Sequence, residues 1–325
     1  MYKLKLSAKN IAARIPNPYF GKSPDINRFL NNCKRDSDRY SFSVTQQTSS
    51  DYGTIFAYLI DPKRINLETL NAIALRQIRN FDIFADTHLY GPWHLLPHIM
   101  ILKADLYPDT LEALQQISDP VFDVFEDLRF TNDVVSTNKF FNIVSLLKYM
   151  ENSKLTEDNI NQKLSGIVSN LSNYTITNRF DAVRFIRKTY HLFAAHPDRE
   201  TFSPLSENLN LVFGMNGTNK YGFFGYSDLS DACEVLDYVF CLKLIDVDNK
   251  KFLADLLDAN RRCVAVDGGY RFQLFKSYSR ESEFLTRRFE ADMFGSWFRL
   301  LAEQIAEKNK CVSMKNSMKY FGYEW

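Results

Sequence analysis

Residues 226–244 read YSDLSDACEVLDYVFCLKL, and this stretch carries the pattern that organises the rest of the chain. Ser230 can cap a helix because its side-chain oxygen accepts a backbone N–H group, and Asp231 places negative charge at the positive end of the helix dipole. The stretch therefore predicts a helix with an acidic N-terminus that is buried on most of its sides. Its apolar face consists of Cys233, Leu236, Val239, Phe240 and Leu244.

Five further segments begin with an acidic or amide residue and continue as aromatic-rich helices. A second class of segment lies between them, plainly amphipathic and richer in charge. This alternation is typical of a repeated helical hairpin, and the spacing between the head residues suits such a two-helix unit. The aromatic-rich segments are headed by Asp51, Asp86, Asp133, Asn178 and Asp292, and the amphipathic segments span 66–80, 109–127, 157–172, 202–213 and 250–263, with a short one at 24–34.

The sequence therefore predicts an all-α fold of six helical hairpins. Closed into a ring, these hairpins would form an (α/α)6 toroid, a double ring of helices. No Gly-, Ser- or Pro-rich linker divides the 325 residues, so we expect one domain. Within it we expect an N-terminal extension with the first short helix at 1–47, the repeated hairpins at 48–310 and a C-terminal tail at 311–325.

Composition argues against several classes of protein. The net charge of +1 gives no bulk attraction to nucleic acid or to an anionic membrane surface. The five cysteines are scattered and odd in number, which does not fit a disulfide framework in a chain of this length. No apolar run has the length of a signal-peptide core or of a membrane span. We therefore expect a cytoplasmic protein with no membrane span and no nucleic-acid partner.

A closed ring would bring the N-termini of its inner helices to one end of a central cavity. Aromatic side chains of the first turns would line this cavity, and carboxylates would surround its mouth. Core packing is the simpler role for any one of these aromatic residues, whereas the pooling of six helix starts depends on the ring. The candidate lining residues are Tyr52, His88, Tyr90, Trp93, Phe180, Tyr226, Cys233, Phe294 and Trp297.

Three of the five histidines fall in one segment, DTHLYGPWHLLPH, at 86–98. His94 and His98 would share a helix face at a spacing that can bind a metal ion. Pro97 lies between them and no HExxH glutamate accompanies them, so two core or interface histidines are the simpler interpretation. His88 precedes the helix, where it suits the mouth of the cavity. We predict no metal site and no cofactor.

Two of the units resemble those of the α/α-toroid superfamily of terpenoid cyclases and protein prenyltransferase β subunits. Residues 222–239 read GFFGYSDLSDACEVLDYV, and VDGGYRF at 266–272 is followed by FEADMFGSWFRLL at 289–301. Each pairs a Gly-aromatic loop with an Asp-headed helix, and Asp267–Tyr270 looks like the family's DGG-aromatic turn. The resemblance extends at pattern level over about residues 50–306 and implies the toroid fold.

The same resemblance implies two chemistries, and the sequence departs from the motif of each. The prenyltransferases bind zinc with an Asp-x-Cys pair and a later histidine. Asp231-Ala232-Cys233 matches the pair, but no histidine follows His196. The proton-initiated cyclases use an Asp-x-Asp-Asp motif, and neither this motif nor the DDxxD motif that gathers magnesium on a diphosphate occurs. A cysteine packed in the core is the simpler role for Cys233.

We predict that the cavity binds a largely apolar, isoprenoid-like small-molecule substrate. Metal-independent acid–base chemistry of cyclase, lyase or transferase type would fall to a carboxylate at the mouth: Asp231, Asp86 with His88, or Asp292. Two alternatives stay open. One is a carbohydrate-active enzyme in which two such carboxylates, Asp133 among the candidates, flank a glycosidic bond. The other is a non-catalytic toroid that binds a partner. The sequence does not fix the oligomeric state.

Overall fold

Helices make up most of the structure, which confirms the prediction of an all-α fold. The computed structural model describes residues 23–81, 95, 98–99, 102, 105–129, 134–215, 232–244, 250–272, 279–280, 284–285 and 290–307. In these ranges the β-structure consists of isolated bridges and one antiparallel pair of two-residue strands, β1 (Ser279–Arg280) and β2 (Phe284–Leu285). None of the helices in these ranges is long and apolar enough to cross a membrane.

The helices follow the predicted hairpin segments closely. In chain order they are α1 (Ile26–Cys33), α2 (Asp51–Ile60), α3 (Leu67–Arg79), α4 (Pro108–Gln116), α5 (Ser118–Asp127), α6 (Val134–Tyr149), α7 (Glu157–Ser172), α8 (Arg179–Ala195), α9 (Arg199–Phe202), α10 (Ser206–Met215), α11 (Ala232–Leu244), α12 (Lys250–Arg261) and α13 (Met293–Glu307). Short 3-10 turns at Pro62–Arg64 and Ser203–Leu205 join some of them.

Proline interrupts two segments that the sequence predicts as single helices, 109–127 and 202–213. The first breaks at Ile117, between α4 and α5. Pro120 explains the break, because it has no N–H group and its ring would clash with the carbonyl four residues earlier in a continuous helix. Pro204 acts in the same way between α9 and α10. The prediction of one continuous helix over each range is therefore wrong.

The helix starts confirm part of the acidic-head pattern. Asn178 caps α8 by accepting backbone hydrogen bonds from its first turn. Asp292 caps α13 by accepting one from the N–H group of Gly295 at 2.6 Å. The cap of α2 is Ser50 rather than Asp51, which is the first residue inside the helix. The predicted heads at 86, 133 and 231 lie outside the described residues.

The aromatic-rich helices α2, α6, α8, α11 and α13 contact one another in succession, and we call them the core row. Helix α6 packs on α8, α8 on α11, α11 on α13, and α13 on α2. The first of these helices in the chain thus packs on the last. The amphipathic helices form a second layer, in which α5 contacts α6, α10 contacts α8, and α12 contacts both α11 and α13.

The loops before α2 and α13 repeat the same set of hydrogen bonds. The N–H group of Ser50 bonds to the carbonyl of Tyr40 at 2.9 Å, and that of Asp292 bonds to the carbonyl of Tyr270 at 3.1 Å. The N–H group of Tyr40 donates to the hydroxyl of Thr54 in α2 at 3.1 Å, and that of Tyr270 donates to the hydroxyl of Ser296 in α13 at 2.9 Å. The first and last hairpins therefore share one local design.

Each of these loops also reaches the start of a neighbouring helix in the core row. The carbonyl of Phe42 accepts a hydrogen bond from the N–H group of Met293 at 3.0 Å, so the loop before α2 contacts the start of α13. The carbonyl of Phe272 accepts one from the N–H group of Ala232 at 3.0 Å, so the loop before α13 contacts the start of α11. The first and last hairpins thus meet through the same hydrogen bond as two hairpins that are adjacent along the chain.

A glycine marks the closest approach of each loop to a core-row helix. A Cβ atom on Gly53 would lie 2.5 Å from the carbonyl carbon of Ser41, and one on Gly295 would lie 2.5 Å from the backbone nitrogen of Phe272. Both obstacles are backbone atoms, which cannot rotate away as a side chain can. Only glycine permits these loops to pack so tightly on α2 and α13.

Candidate functional site

Among the described residues, the core row has a side on which no second-layer helix packs. In α6, Phe140 packs on Phe125 of α5 at a ring distance of 6.3 Å. Helix geometry places Asn138, Asn142 and Ser145 towards the opposite side. These three side chains are 4 to 8% exposed and Phe141 is 6% exposed, whereas Phe140, Ile143 and Val144 are fully buried. We call this side of α6, on which no second-layer helix packs within the described ranges, its uncovered side, and it is mainly polar.

The uncovered side of α8 carries four residues, which we call the α8 recess: Phe180, Arg184, Arg187 and His191. Their spacing puts them on one face, while other faces of α8 pack on the second layer and on α11. Phe180 is 55% exposed and Arg184 is also exposed, whereas Arg187 and His191 are only partly so. The recess is therefore open at the N-terminal end of α8 and closes along the helix.

An ion pair stands in the α8 recess. A guanidinium nitrogen of Arg187 lies 2.7 Å from a carboxylate oxygen of Glu234, which joins α8 to α11. Glu234 is 2% exposed, and a carboxylate at that depth needs a cationic partner to offset the loss of its hydration. The charge of Arg187 is thus largely balanced inside the protein.

His191 lies one helical turn beyond this ion pair. Its Nδ1 atom is 2.7 Å from the carbonyl oxygen of Arg187. Because a carbonyl can only accept, Nδ1 must carry the hydrogen. Burial is the main cause that lowers the pKa of His191 to about 4. The hydrogen bond to the carbonyl of Arg187 opposes this shift, and the charge of Arg187 adds to it. At neutral pH the ring is therefore uncharged, and Nε2 is a hydrogen-bond acceptor.

Three of the predicted lining residues form a buried aromatic cluster between α2 and α13. The rings of Tyr52 and Phe294 meet edge to face at 5.6 Å, and those of Phe56 and Trp297 meet in the same way at 5.3 Å. All four side chains are at most 5% exposed. Phe298, which also contacts Phe56, keeps 8% of its surface exposed. Core packing accounts for the contacts of these rings in the described structure.

The two other described lining candidates lie near helix starts. Phe180 is at the open end of the α8 recess, and Cys233 is in the first turn of α11, where it is partly exposed. Neither takes part in the aromatic ring contacts of α2 and α13 among the described residues. The structure therefore brings together Tyr52, Phe294 and Trp297 but not these two.

Asp292, the described candidate for acid–base work, holds a loop to a helix. One carboxylate oxygen accepts a hydrogen bond from the N–H group of Gly295 at 2.6 Å, and the other accepts one from the N–H group of Phe272 at 2.9 Å. The side chain is 1% exposed, and burial raises its pKa to about 7. These contacts give Asp292 a structural role at the start of α13.

The DGG-aromatic turn is structural as well. Gly268 has a φ of 100°, in the left-handed region that favours glycine. Asp267 accepts a hydrogen bond from the backbone N–H group of Ala291 at 3.1 Å, and the hydroxyl of Tyr270 donates to Glu303 of α13 at 2.7 Å. The turn therefore fixes the loop that precedes α13.

Of the three histidines in the segment 86–98, the structure describes His98. His98 does lie in the core, with ring distances of 5.0 Å to Phe56 and 5.3 Å to Trp297, as the core interpretation expects. Across the described part of the chain, no three His, Cys, Asp or Glu side chains are grouped so that they could hold a metal ion. The candidates that lie outside the described residues are Asp86, His88, Tyr90, Trp93, Tyr226 and Asp231.

The sequence did not single out the α8 recess, although it contains a signal. Arg184, Arg187 and His191 recur at helical spacing in a segment whose other residues are mostly apolar. A polar stripe on such a helix reads as a solvated surface until its neighbours are known. The contact that changes this interpretation is the ion pair with Glu234, a residue of another hairpin.

Comparisons with known proteins add little to this geometry. No family model matches the chain, and no solved structure matches it. The chain is 28% identical over 135 residues to the chromosomal replication initiator protein DnaA of Buchnera aphidicola subsp. Baizongia pistaciae (strain Bp). This similarity covers 40% of the chain and 27% of that protein, so the chain spans about a quarter of the length of this curated relative.

Proposed function

We propose that the hairpins close into an (α/α)6 toroid whose centre binds a largely apolar, isoprenoid-like small molecule. One observation carries the proposal. The carbonyl of Phe42 bonds to the start of α13 as the carbonyl of Phe272 bonds to the start of α11. The same hydrogen bond thus joins two adjacent hairpins and also the hairpins at the two ends of the chain. A closed ring of repeats requires such a contact between its first and last units.

The composition of the core row supports an apolar ligand. Aromatic side chains pack between α2 and α13, where Phe298 keeps 8% of its surface exposed, while α6 and α8 contribute amides, hydroxyls and an ion pair. Pockets for small molecules combine a mainly apolar wall with a few polar groups that fix orientation. A ring with these helices would offer that combination on its inner side.

Acid–base catalysis by a carboxylate is the finer part of the proposal. Both oxygens of Asp292 already accept backbone hydrogen bonds, so the role falls better to Asp231, or to Asp86 with His88. A carboxylate that serves as acid or base must be able to exchange its proton with a ligand. Asp86→Asn and Asp231→Asn are made singly, and one of them should abolish turnover of any accepted ligand. Unchanged turnover in both variants would contradict this assignment.

Native mass spectrometry tests the binding proposal. The purified protein is examined as isolated, then after addition of a C15 isoprenoid alcohol or of a linear oligosaccharide. We expect the alcohol to be retained and the oligosaccharide not. Ser145→Trp, on the uncovered side of α6, should weaken retention, whereas Ser165→Trp, on an exposed side of α7, should leave it unchanged. Retention of the oligosaccharide alone would favour a carbohydrate-active protein.

A nucleic-acid role is the second candidate, and the partial similarity to DnaA is the observation that favours it. The net charge of +1 gives such a role no bulk electrostatic support. Fluorescence anisotropy with labelled duplex DNA at low salt separates the two candidates. Binding that weakens steeply with added salt would favour the nucleic-acid role, and its absence would favour the small-molecule site.

A further inference from the structure

His191 presents one hydrogen-bond acceptor to the α8 recess. Its Nδ1–H group donates a hydrogen bond to the carbonyl of Arg187 at 2.7 Å. The lone pair on Nε2 is then the ring's acceptor. Within the described ranges, no residue forms a hydrogen bond with Nε2. His191 as a residue is partly exposed, which leaves a ligand access to its side chain.

Aromatic rings flank this acceptor. The ring of Phe141, from α6, lies 6.1 Å from the imidazole, and that of Tyr190 lies 5.1 Å from it. Phe141 is 6% exposed and shares the uncovered side of α6 with Ser145. The imidazole therefore stands between two helices of the core row, at the narrow end of the recess. Its low pKa keeps it uncharged at neutral pH.

The cationic side chain one turn from His191 is already paired. The guanidinium of Arg187 is held by the buried carboxylate of Glu234 at 2.7 Å. An ionised phosphate or carboxylate oxygen has no hydrogen to offer, so the lone pair of Nε2 would repel it. A hydroxyl group can donate to Nε2 while the rest of the molecule stays against aromatic rings.

We propose that Nε2 of His191 accepts a hydrogen bond from a hydroxyl group of the ligand, which makes the ligand an apolar alcohol rather than a hydrocarbon or a diphosphate. The proposal rests on the proposed function, because it needs an apolar molecule in the centre of the core row. To that function it adds that the ligand has a hydroxyl group and that His191 binds this group.

Isothermal titration calorimetry of the full chain with two probes tests this inference. The probes are a C15 isoprenoid alcohol and the hydrocarbon with the same skeleton. We expect the wild-type protein to bind the alcohol about 10-fold more tightly, since one hydrogen bond that would otherwise be left unmade is worth that much. His191→Phe should remove the difference, and His191→Gln, which keeps an acceptor, should restore part of it. His196→Gln, at the end of the same helix, should retain the difference.

The outcomes separate the two proposals. Equal binding of both probes by the wild-type protein, or an unchanged preference in His191→Phe, overturns the role of His191 and leaves the apolar site standing. Failure to bind either probe overturns both. Should His191→Phe fail to fold, nitrogen NMR of ¹⁵N-histidine-labelled wild-type protein decides the matter. The alcohol must shift the Nε2 resonance of His191 more than the hydrocarbon does, and equal responses contradict the proposal.

Discussion

The backbone carbonyl of Phe42 lies 3.0 Å from the N–H group of Met293, so a loop near one end of the chain caps a helix near the other. Gly53 and Gly295 let each loop touch the helix that follows it, and this contact holds the loop of Phe42 in place for the hydrogen bond. Adding a methyl group at such a glycine measures how much this packing contributes to the free energy of unfolding.

Gly295→Ala should destabilise the protein by about 3 kcal/mol or more, because the new Cβ atom would meet three backbone atoms at 2.5 to 2.7 Å. Chemical denaturation measures the change. Gly166→Ala in α7 is the matched control, since nothing lies within 4 Å of its Cβ position. It should be neutral or should stabilise by about 0.5 to 1 kcal/mol through helix propensity. Similar effects of the two variants would contradict the described loop packing.

Arg187 and Glu234 should behave as a buried ion pair. Arg187→Met leaves the carboxylate of Glu234 buried without its partner and should cost about 3 to 5 kcal/mol in the free energy of unfolding. Arg187→Met combined with Glu234→Leu should cost much less, because both charges are then gone. A double-mutant cycle by urea denaturation measures the coupling. Strictly additive losses would mean that the two side chains do not interact.

Asp292→Asn should cost about 1 to 3 kcal/mol, because an amide supplies one acceptor oxygen where the carboxylate supplies two, and a buried N–H group then lacks its acceptor. Asp119→Asn is the control. Asp119 is 68% exposed and pairs with Lys154 at 3.0 Å, so its change should stay within about 1 kcal/mol. Equal losses in thermal or urea unfolding would remove the structural role assigned to Asp292.

His191 should make the folded state sensitive to acid. Its pKa falls from an ordinary 6.5 to about 4 on folding, so the unfolded chain takes up a proton in a range where the folded protein does not. This contribution to stability is complete above pH 6.5 and decreases as the pH falls towards 4. Arg187, paired with Glu234 of α11, lies on the same face of α8 as His191. His191→Gln should therefore flatten the decline in stability between these two pH values.

The buried carboxyl of Asp292 should act in the opposite direction. Its pKa rises from an ordinary 3.8 to about 7 on folding, so its contribution to stability is complete at low pH and is lost as the pH rises through 7. The difference in unfolding free energy between the wild-type protein and Asp292→Asn should therefore increase as the pH is lowered from 7 to 4. A constant difference over this range would contradict the raised pKa.

Local chemistry explains what the sequence could predict. Asn178 was recognisable as a helix cap because its short amide reaches the first-turn N–H groups whatever surrounds it. The break at Ile117 was missed although Pro120 was visible, because the hydrophobic pattern continues across it. In α2 the acidic-head rule chose Asp51 where the neighbouring Ser50 is the cap.

The α8 recess could not be predicted, because its contacts join residues that are distant in the chain. Arg187 of α8 pairs with Glu234 of α11, and the ring of His191 in α8 contacts that of Phe141 in α6. The aromatic lining was assigned from position in the first turns alone. Position cannot tell a ring that packs on Phe56, as Trp297 does, from a ring that faces a ligand.

Photo-crosslinking with a C15 isoprenoid alcohol that carries a diazirine tests the central claim most directly, because it reports both binding and the side of each helix that the ligand touches. A ligand enclosed by the core row should label peptides from α6, α8 and α13, with Phe141, His191 and Phe298 among the modified residues. Labelling confined to the second-layer helices α7 and α12, or the absence of any labelling that excess unlabelled alcohol suppresses, would contradict a ligand site at the centre of a ring.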